Sequence, residues 1–188
     1  MQILSRLLPL GLSLVVSFSA LAENSLPVPA YTGLNEGLTK HVTSLREARF
    51  DSVIEQKTDY SCGAAALATV LRYAFGRPLG ELDVMKGMLV GADPATVQQY
   101  GFSMLDMKRF VQNQGLRASG FLADKTRLAQ LRIPVITLID SGGYKHFVVI
   151  RRVQNDEVHL ADPAMGNRSM PLEDFARQWN GVLLAVAG

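Results

Sequence analysis

The sequence predicts an α+β fold in which helices come first and an antiparallel sheet follows. Three observations carry that expectation. Residues 62–75 are rich in Ala and Leu with no Gly or Pro after Gly63, which is the pattern of a helix buried on most sides. Ser103-Met104-Leu105-Asp106 has the form of a capping box opening another helix. Beyond Gly115 the apolar runs become short, β-branched and bounded by turn residues, as strands are. A block of helices ahead of a block of strands, without alternation, is the α+β layout.

Taken in order, residues 23–35 (ENSLPVPAYTGLN) hold two prolines and a glycine without periodicity and read as an extended arm. Asn35 is a candidate cap for a short helix reaching Arg49. The helix from Cys62 runs to Phe75, where Gly76-Arg77-Pro78 ends it. A further helix is expected over Glu81–Leu89. The capped helix at Ser103 puts Met104, Met107 and Val111 on one face and stops at Gly115. Strands are expected over Leu116–Leu122, over Pro134–Ile139 and over a hairpin of Tyr144–Arg152 with Glu157–Ala161. Pro171 opens a last helix to about Trp179, and Val182-Leu183-Leu184-Ala185-Val186 closes the sheet.

The chain opens with Arg6, an apolar run from Leu7 to Phe18 and the small-x-small site Ala20-Leu21-Ala22, the three parts of a secretory signal peptide. Its apolar run is shorter than the ~20 residues a spanning helix needs, so residues 1–22 are expected to be cleaved, with no membrane insertion afterwards. Residues 23–49 are then an N-terminal arm or linker and 50–188 one domain, and the destination is the periplasm. Nineteen Lys and Arg balance seventeen Asp and Glu, the signs are interspersed, and nucleic acid is not an expected partner.

Cys62 is the single cysteine of the 188 residues, so an exported chain cannot pair it internally. At the first turn of a helix it feels unpaired N–H groups that favour thiolate, which fits a nucleophile, accessible and alkylated below pH 8.5; a small buried hydrophobe is the alternative. A nucleophilic thiol needs a base, and the chain offers His41, His146 and His159. If the hairpin strands pair with even numbers on one face, that face carries His146, Val148, Ile150, Val158, Leu160 and Asp162. The odd face, with Arg151, Glu157 and His159, is wetter. Burial selects the even register, because a one-residue slip reverses every side chain. It calls for a bulge or odd loop near Gln154–Asp156 in place of a two-residue Asn-Asp turn. His146 and Asp162 then share one end of one face, where the carboxylate can fix the imidazole tautomer. Asp162-Pro163 also has the form of a turn initiator, and a strand histidine can be purely structural. Gln56, six residues before Cys62, is placed to join the Cys62 N–H in an oxyanion hole.

Gln56, then Cys62-Gly63-Ala64-Ala65, then His146-Phe147-Val148-Val149, then Asp162-Pro163 with Gly166 shortly after, resembles the peptidase C39 family of papain-like cysteine peptidases over residues 50–186. The resemblance implies a papain-like domain in which Cys62 is the nucleophile, His146 the general base, Asp162 the group that orients it and Gln56 the oxyanion-hole donor. Many members carry an acidic residue just before the cysteine; here it is Ser61, with Asp59 two positions earlier. Well-known members are cytosolic domains of exporters that remove leader peptides after a Gly-Gly pair, whereas this chain has its own export signal. It looks more like the free-standing exported members, including those associated with functional amyloid secretion.

The expected function is therefore a cysteine endopeptidase acting on a secreted or exported polypeptide, with a secretion channel or exporter as the implied partner. Two alternatives use the same constellation: an adaptor that binds a secretion substrate without cutting it, and acyl transferase or amidase chemistry. No cofactor or metal is expected, since Cys62, His146 and Asp162 lack the spacing of a zinc site and number too few for a structural one.

Overall fold

The computed structural model describes residues 25–28 and 38–188, so the signal-peptide reading of residues 1–22 lies outside the described residues. Within 1–43, strands β1 (Ser25–Val28) and β2 (Leu38–His41) form an antiparallel pair, Leu26 opposite Lys40. Asn35, the expected cap, lies outside the described residues, and of the helix expected up to Arg49 the described part is helical only at its end. That end is α1 (Leu45–Arg49), capped by Ser44, whose hydroxyl accepts from the Glu47 N–H while Glu47 reaches back to the Ser44 N–H. This capping box satisfies two orphan donors at once.

Residues 44–188 form one compact unit, which takes in α1. Helices α2 (Cys62–Phe75) and α3 (Glu81–Leu89) have the expected bounds. Two short helices were not expected, one at Lys125–Ala129 and α4 (Pro94–Tyr100), capped by Asp93. Helix α5 (Met104–Asn113) follows, with the Ser103 capping box in place. After β3 (Arg117–Leu122) comes α6 (Lys125–Ala129), capped by Asp124, then β4 (Val135–Ser141), β5 (Tyr144–Gln154) and β6 (Glu157–Asp162). An unexpected strand β7 (Gly166–Pro171), then α7 (Leu172–Gln178) and β8 (Trp179–Ala187), complete the chain. The sheet is antiparallel throughout, in the order β3-β8-β4-β5-β6-β7.

The sheet is covered on both faces. On one, α2 and α5 pack over Ile136, Phe147, Val149, Ala161 and Leu184, with α3 against the two helices. On the other, Leu128 of α6 and Phe175 of α7 lie over Val135, Ile139, Val148, Ile150, Leu160 and Leu183. The odd positions Phe147, Val149 and Ala161 are thus buried under α2, and the odd face is wetter only toward the hairpin tip. Small residues let α2 sit this close: a Cβ at Gly63 would come within 2.6 Å of Met107 Cε.

The β5–β6 register brings Ile150 opposite Leu160, as burial demands, but by another device. The tip is a two-residue Asn155-Asp156 turn, both residues at positive φ, 52° and 58°, which Asn and Asp tolerate. The extra residue is Arg151, bulged between Ile150 and Arg152. The bulge therefore lies inside the strand, where Arg151 donates to the Ser52 carbonyl at 2.6 Å, and the turn stays tight.

Candidate active site

Three segments supply the site: the loop before α2, the start of β5 and the end of β6 with the loop after it. Cys62 is the first residue of α2. Ser61, in the cap position, makes no cap hydrogen bond to the helix; its hydroxyl donates to the Thr58 carbonyl at 2.8 Å and accepts from the Thr58 N–H. The first turn carries no acidic residue either. Its N–H groups, Cys62's included, are left for an incoming negative charge. Cys62 is 7% exposed, less open than a freely accessible thiol, and lines a cleft of about 720 Å³ with Tyr60, Tyr100, Phe102, Tyr144 and Phe147.

His146 and Asp162 meet as the register requires. His146 Nε2 donates to Asp162 Oδ1 at 2.7 Å, with the residues 4% and 1% exposed. The same oxygen accepts the N–H groups of Ala164 at 2.9 Å and Met165 at 3.2 Å, and Arg168 Nε donates to Oδ2 at 2.8 Å. Asp162-Pro163 is therefore a turn initiator as well as a histidine partner; the two readings describe one residue. Directly opposite Asp162 lies Gly166, at φ 79°, where a Cβ would come within 2.5 Å of the Arg49 carbonyl oxygen. Only glycine lets α1 press the loop 163–165 into place.

The second ring nitrogen, Nδ1, is buried and has no hydrogen-bond partner of normal geometry, while the Cys62 side chain lies close enough to help hold a proton on the ring. Burial pulls the imidazole pKa down, but Asp162 and then Cys62 outweigh it and raise the value to about 9. Burial works against the Asp162 carboxylate too, yet the hydrogen bond from His146 and the other donors hold it below the usual carboxylate range. Stability follows from both shifts. The His146 contribution is complete below the unfolded value near 6.5 and is lost as pH rises through about 9; that of Asp162 is present above its unfolded value and lost as pH falls through its lowered one. The urea midpoint is expected to fall between pH 7 and pH 9.5, and a His146→Ala variant to lose most of that slope.

Gln56 is tied to this loop system by its own backbone, whose N–H donates to the Pro163 carbonyl at 2.9 Å. Its Nε2 donates to the Thr58 carbonyl at 3.2 Å, which occupies one of two hydrogens, and its Oε1 is buried without a partner. Tyr144, 48% exposed, joins the parts: its ring stacks on His146 with centroids 5.7 Å apart. Burial, then Cys62, push its phenol up, while a hydrogen bond with the Gln56 side chain opposes them. The four residues singled out in the sequence thus converge. His159 does not; it pairs across the sheet with Arg152 and Ser169. Residues 25–28 and 38–188 include no group of three or more His, Cys, Asp or Glu placed to hold a metal ion.

Sequence reasoning missed Tyr144 and Arg168. Tyr144 stands two residues before His146, hence on the same side of one strand, a period-2 signal that could have found it. Arg168 lies in Gly166–Pro171, whose polar composition gave no sign of a strand.

Comparison with known proteins fits this geometry. The model of the peptidase C39 family matches residues 51–188. The chain is 50% identical over 184 residues to a Pseudomonas aeruginosa protein described as "Probable functional amyloid protease FapD", covering 97% of this chain and 80% of that one. Among solved structures, a double glycine motif protease from an AMS/PCAT transporter, in complex with the leader peptide, matches at TM-score 0.60 and 27% identity, over 72% of this chain and 89% of that one. The peptidase domain of Streptococcus ComA, a bifunctional ABC transporter, shares the fold at TM-score 0.62 and 21% identity, over 72% of this chain and 96% of that domain.

Proposed function

The chain belongs to the peptidase C39 family and is a cysteine peptidase, and from that premise we propose that it is exported to the periplasm and cuts a secreted polypeptide with Cys62 as its nucleophile. The observation that carries the residue roles is the buried His146–Asp162 pair, which leaves Nδ1 bare beside the first residue of α2.

In this mechanism Cys62 Sγ attacks the scissile carbonyl carbon. The oxyanion that forms is met by the Cys62 N–H and by the second hydrogen on Gln56 Nε2, which exchanges the Tyr144 phenol for it. Asp162 keeps Nε2 engaged, so the proton that moves is the one on Nδ1. His146 passes it to the departing amine, and a thioester remains on Cys62. Water enters, the now neutral His146 takes its proton, and attack on the thioester carbon releases the acid and restores the sulfur.

Cleavage after a Gly-Gly leader is the specificity we assign, supported by the double glycine motif protease at 27% identity; the substrate class, an amyloid-forming secreted protein, is supported by the 50% identical relative's description. Full-length secreted substrate incubated with the purified peptidase is expected to be cut once after the glycine pair, and not when the pair is changed to Val-Val or Cys62 has been alkylated. Cutting elsewhere, or undiminished cutting by the alkylated enzyme, overturns the assignment. Intact mass of the periplasmic protein is expected to begin at Glu23, following cleavage after Ala22; a protein retaining Met1 in the inner membrane contradicts the localisation.

A further inference from the structure

Beyond the four residues with assigned roles, one further charge is built into the buried site. Arg168 Nε lies 2.8 Å from Asp162 Oδ2, with the two side chains 22% and 1% exposed. We propose that Arg168 is a positioning residue of the reaction: by occupying Oδ2 it fixes the carboxylate so that Oδ1 meets His146, and its charge limits how tightly Asp162 holds the imidazolium proton. The inference rests on the reading of His146 as the proton carrier.

The strand register makes the contact. Asp162 is paired with Gly166, and Leu160 with Arg168, so Arg168 is the next position along the same sheet face. Glycine opposite the aspartate leaves the room through which the guanidinium reaches back.

The carboxylate's donors are unequally divided. His146 Nε2, the Ala164 N–H and the Met165 N–H all address Oδ1. Arg168 alone addresses Oδ2. Without it, a buried carboxylate oxygen would lack a donor, and rotation about the side chain would relieve that at the expense of the bond to His146. Arginine suits the task because its planar fork stays charged and holds one orientation.

The charge has a second effect. An imidazole next to a lone buried carboxylate holds its proton strongly and gives it up slowly to a departing amine. A second cation on the same carboxylate draws off part of that attraction. Arg168 thereby keeps the ring protonated enough to be an acid and labile enough to act as one.

The test compares Arg168→Gln, which removes the charge, with Arg168→Lys, which keeps it. The His146 imidazole is titrated by NMR in histidine-labelled protein, and single-turnover cleavage is measured across pH. Wild type is expected to show its alkaline transition at about 9. Arg168→Gln should move that transition upward by about one unit, with kcat down about tenfold and KM nearly unchanged. Arg168→Lys should return the transition to near the wild-type value and recover part of kcat. If the glutamine variant does not fold, Arg168→Met takes its place: it removes the Oδ2 donor along with the charge, so the carboxylate turns off His146 and the transition is expected to fall below the wild-type value with kcat. A transition that stays in place in the neutral variant, or moves equally in Arg168→Lys, overturns the proposal. The titration needs no turnover, so a wild type that cleaves nothing would sink the peptidase roles and still leave the arginine tested.

Discussion

His146→Ala is expected to lower kcat by about 10⁴–10⁶, while His159→Ala leaves it within about threefold of wild type. The difference follows from where each ring stands. His146 has one nitrogen fixed on Asp162 and the other buried, bare and beside Cys62, so it is the group that can carry a proton between sulfur, leaving amine and water. His159 is only three residues from Asp162 along β6, but odd-numbered, and it lies across from Arg152 and Ser169 instead. Folding should survive the loss of His146, because Asp162 keeps Arg168 and two backbone N–H groups as partners. Single-turnover cleavage, with circular dichroism on the same samples, checks both halves. Equal losses in the two variants would mean that the even-face pairing does not select the proton carrier.

That contrast was legible in the sequence because pairing even with even puts 146 and 162 on one face and 159 on the other; that the odd face is buried as well, under α2, was not legible. How the chain achieves the parity was not legible. Tight Asn-Asp turns and in-strand bulges leave the same alternation on either side, and only the Arg151 contact with the Ser52 carbonyl explains why the extra residue sits there. Helices α2 and α3 stood out because each runs without interruption between clear ends. Helices α4 and α6 are too short to show a period, although Asp93-Pro94 and Asp124 are recognisable caps. Strand β7 escaped notice because it is an edge strand of polar residues whose one decisive side chain, Arg168, turns inward toward a charge. The covering of the sheet's second face was hidden for the same reason: Leu128 and Phe175 belong to short helices whose burial is a tertiary property.

Gln56→Ala is expected to lower kcat by roughly 10²–10³, equivalent to about 2.7–4 kcal/mol of lost transition-state stabilisation. The amide is prepared for this role. One Nε2 hydrogen rests on the Thr58 carbonyl, which fixes the side chain, and the second has only the half-exposed Tyr144 phenol beside it, in a site where the N–H groups at the start of α2 are also uncapped. The backbone tie from Gln56 to Pro163 does not involve the side chain and persists in alanine, so the loop and the thermal midpoint should change little. Substrate affinity should change little as well, since the oxyanion exists only after attack has begun. Alkylation of Cys62 by iodoacetamide reports on the sulfur and the imidazole without any oxyanion, and its rate should stay close to wild type. The two assays on one preparation therefore separate the possibilities. Loss of turnover with normal alkylation places the glutamine in the transition state; unchanged turnover removes it from the mechanism. A joint collapse of both would show that the side chain's bond to Thr58 is what holds Ser61 and Cys62 at the head of the helix, and that its contribution is to the architecture of the loop.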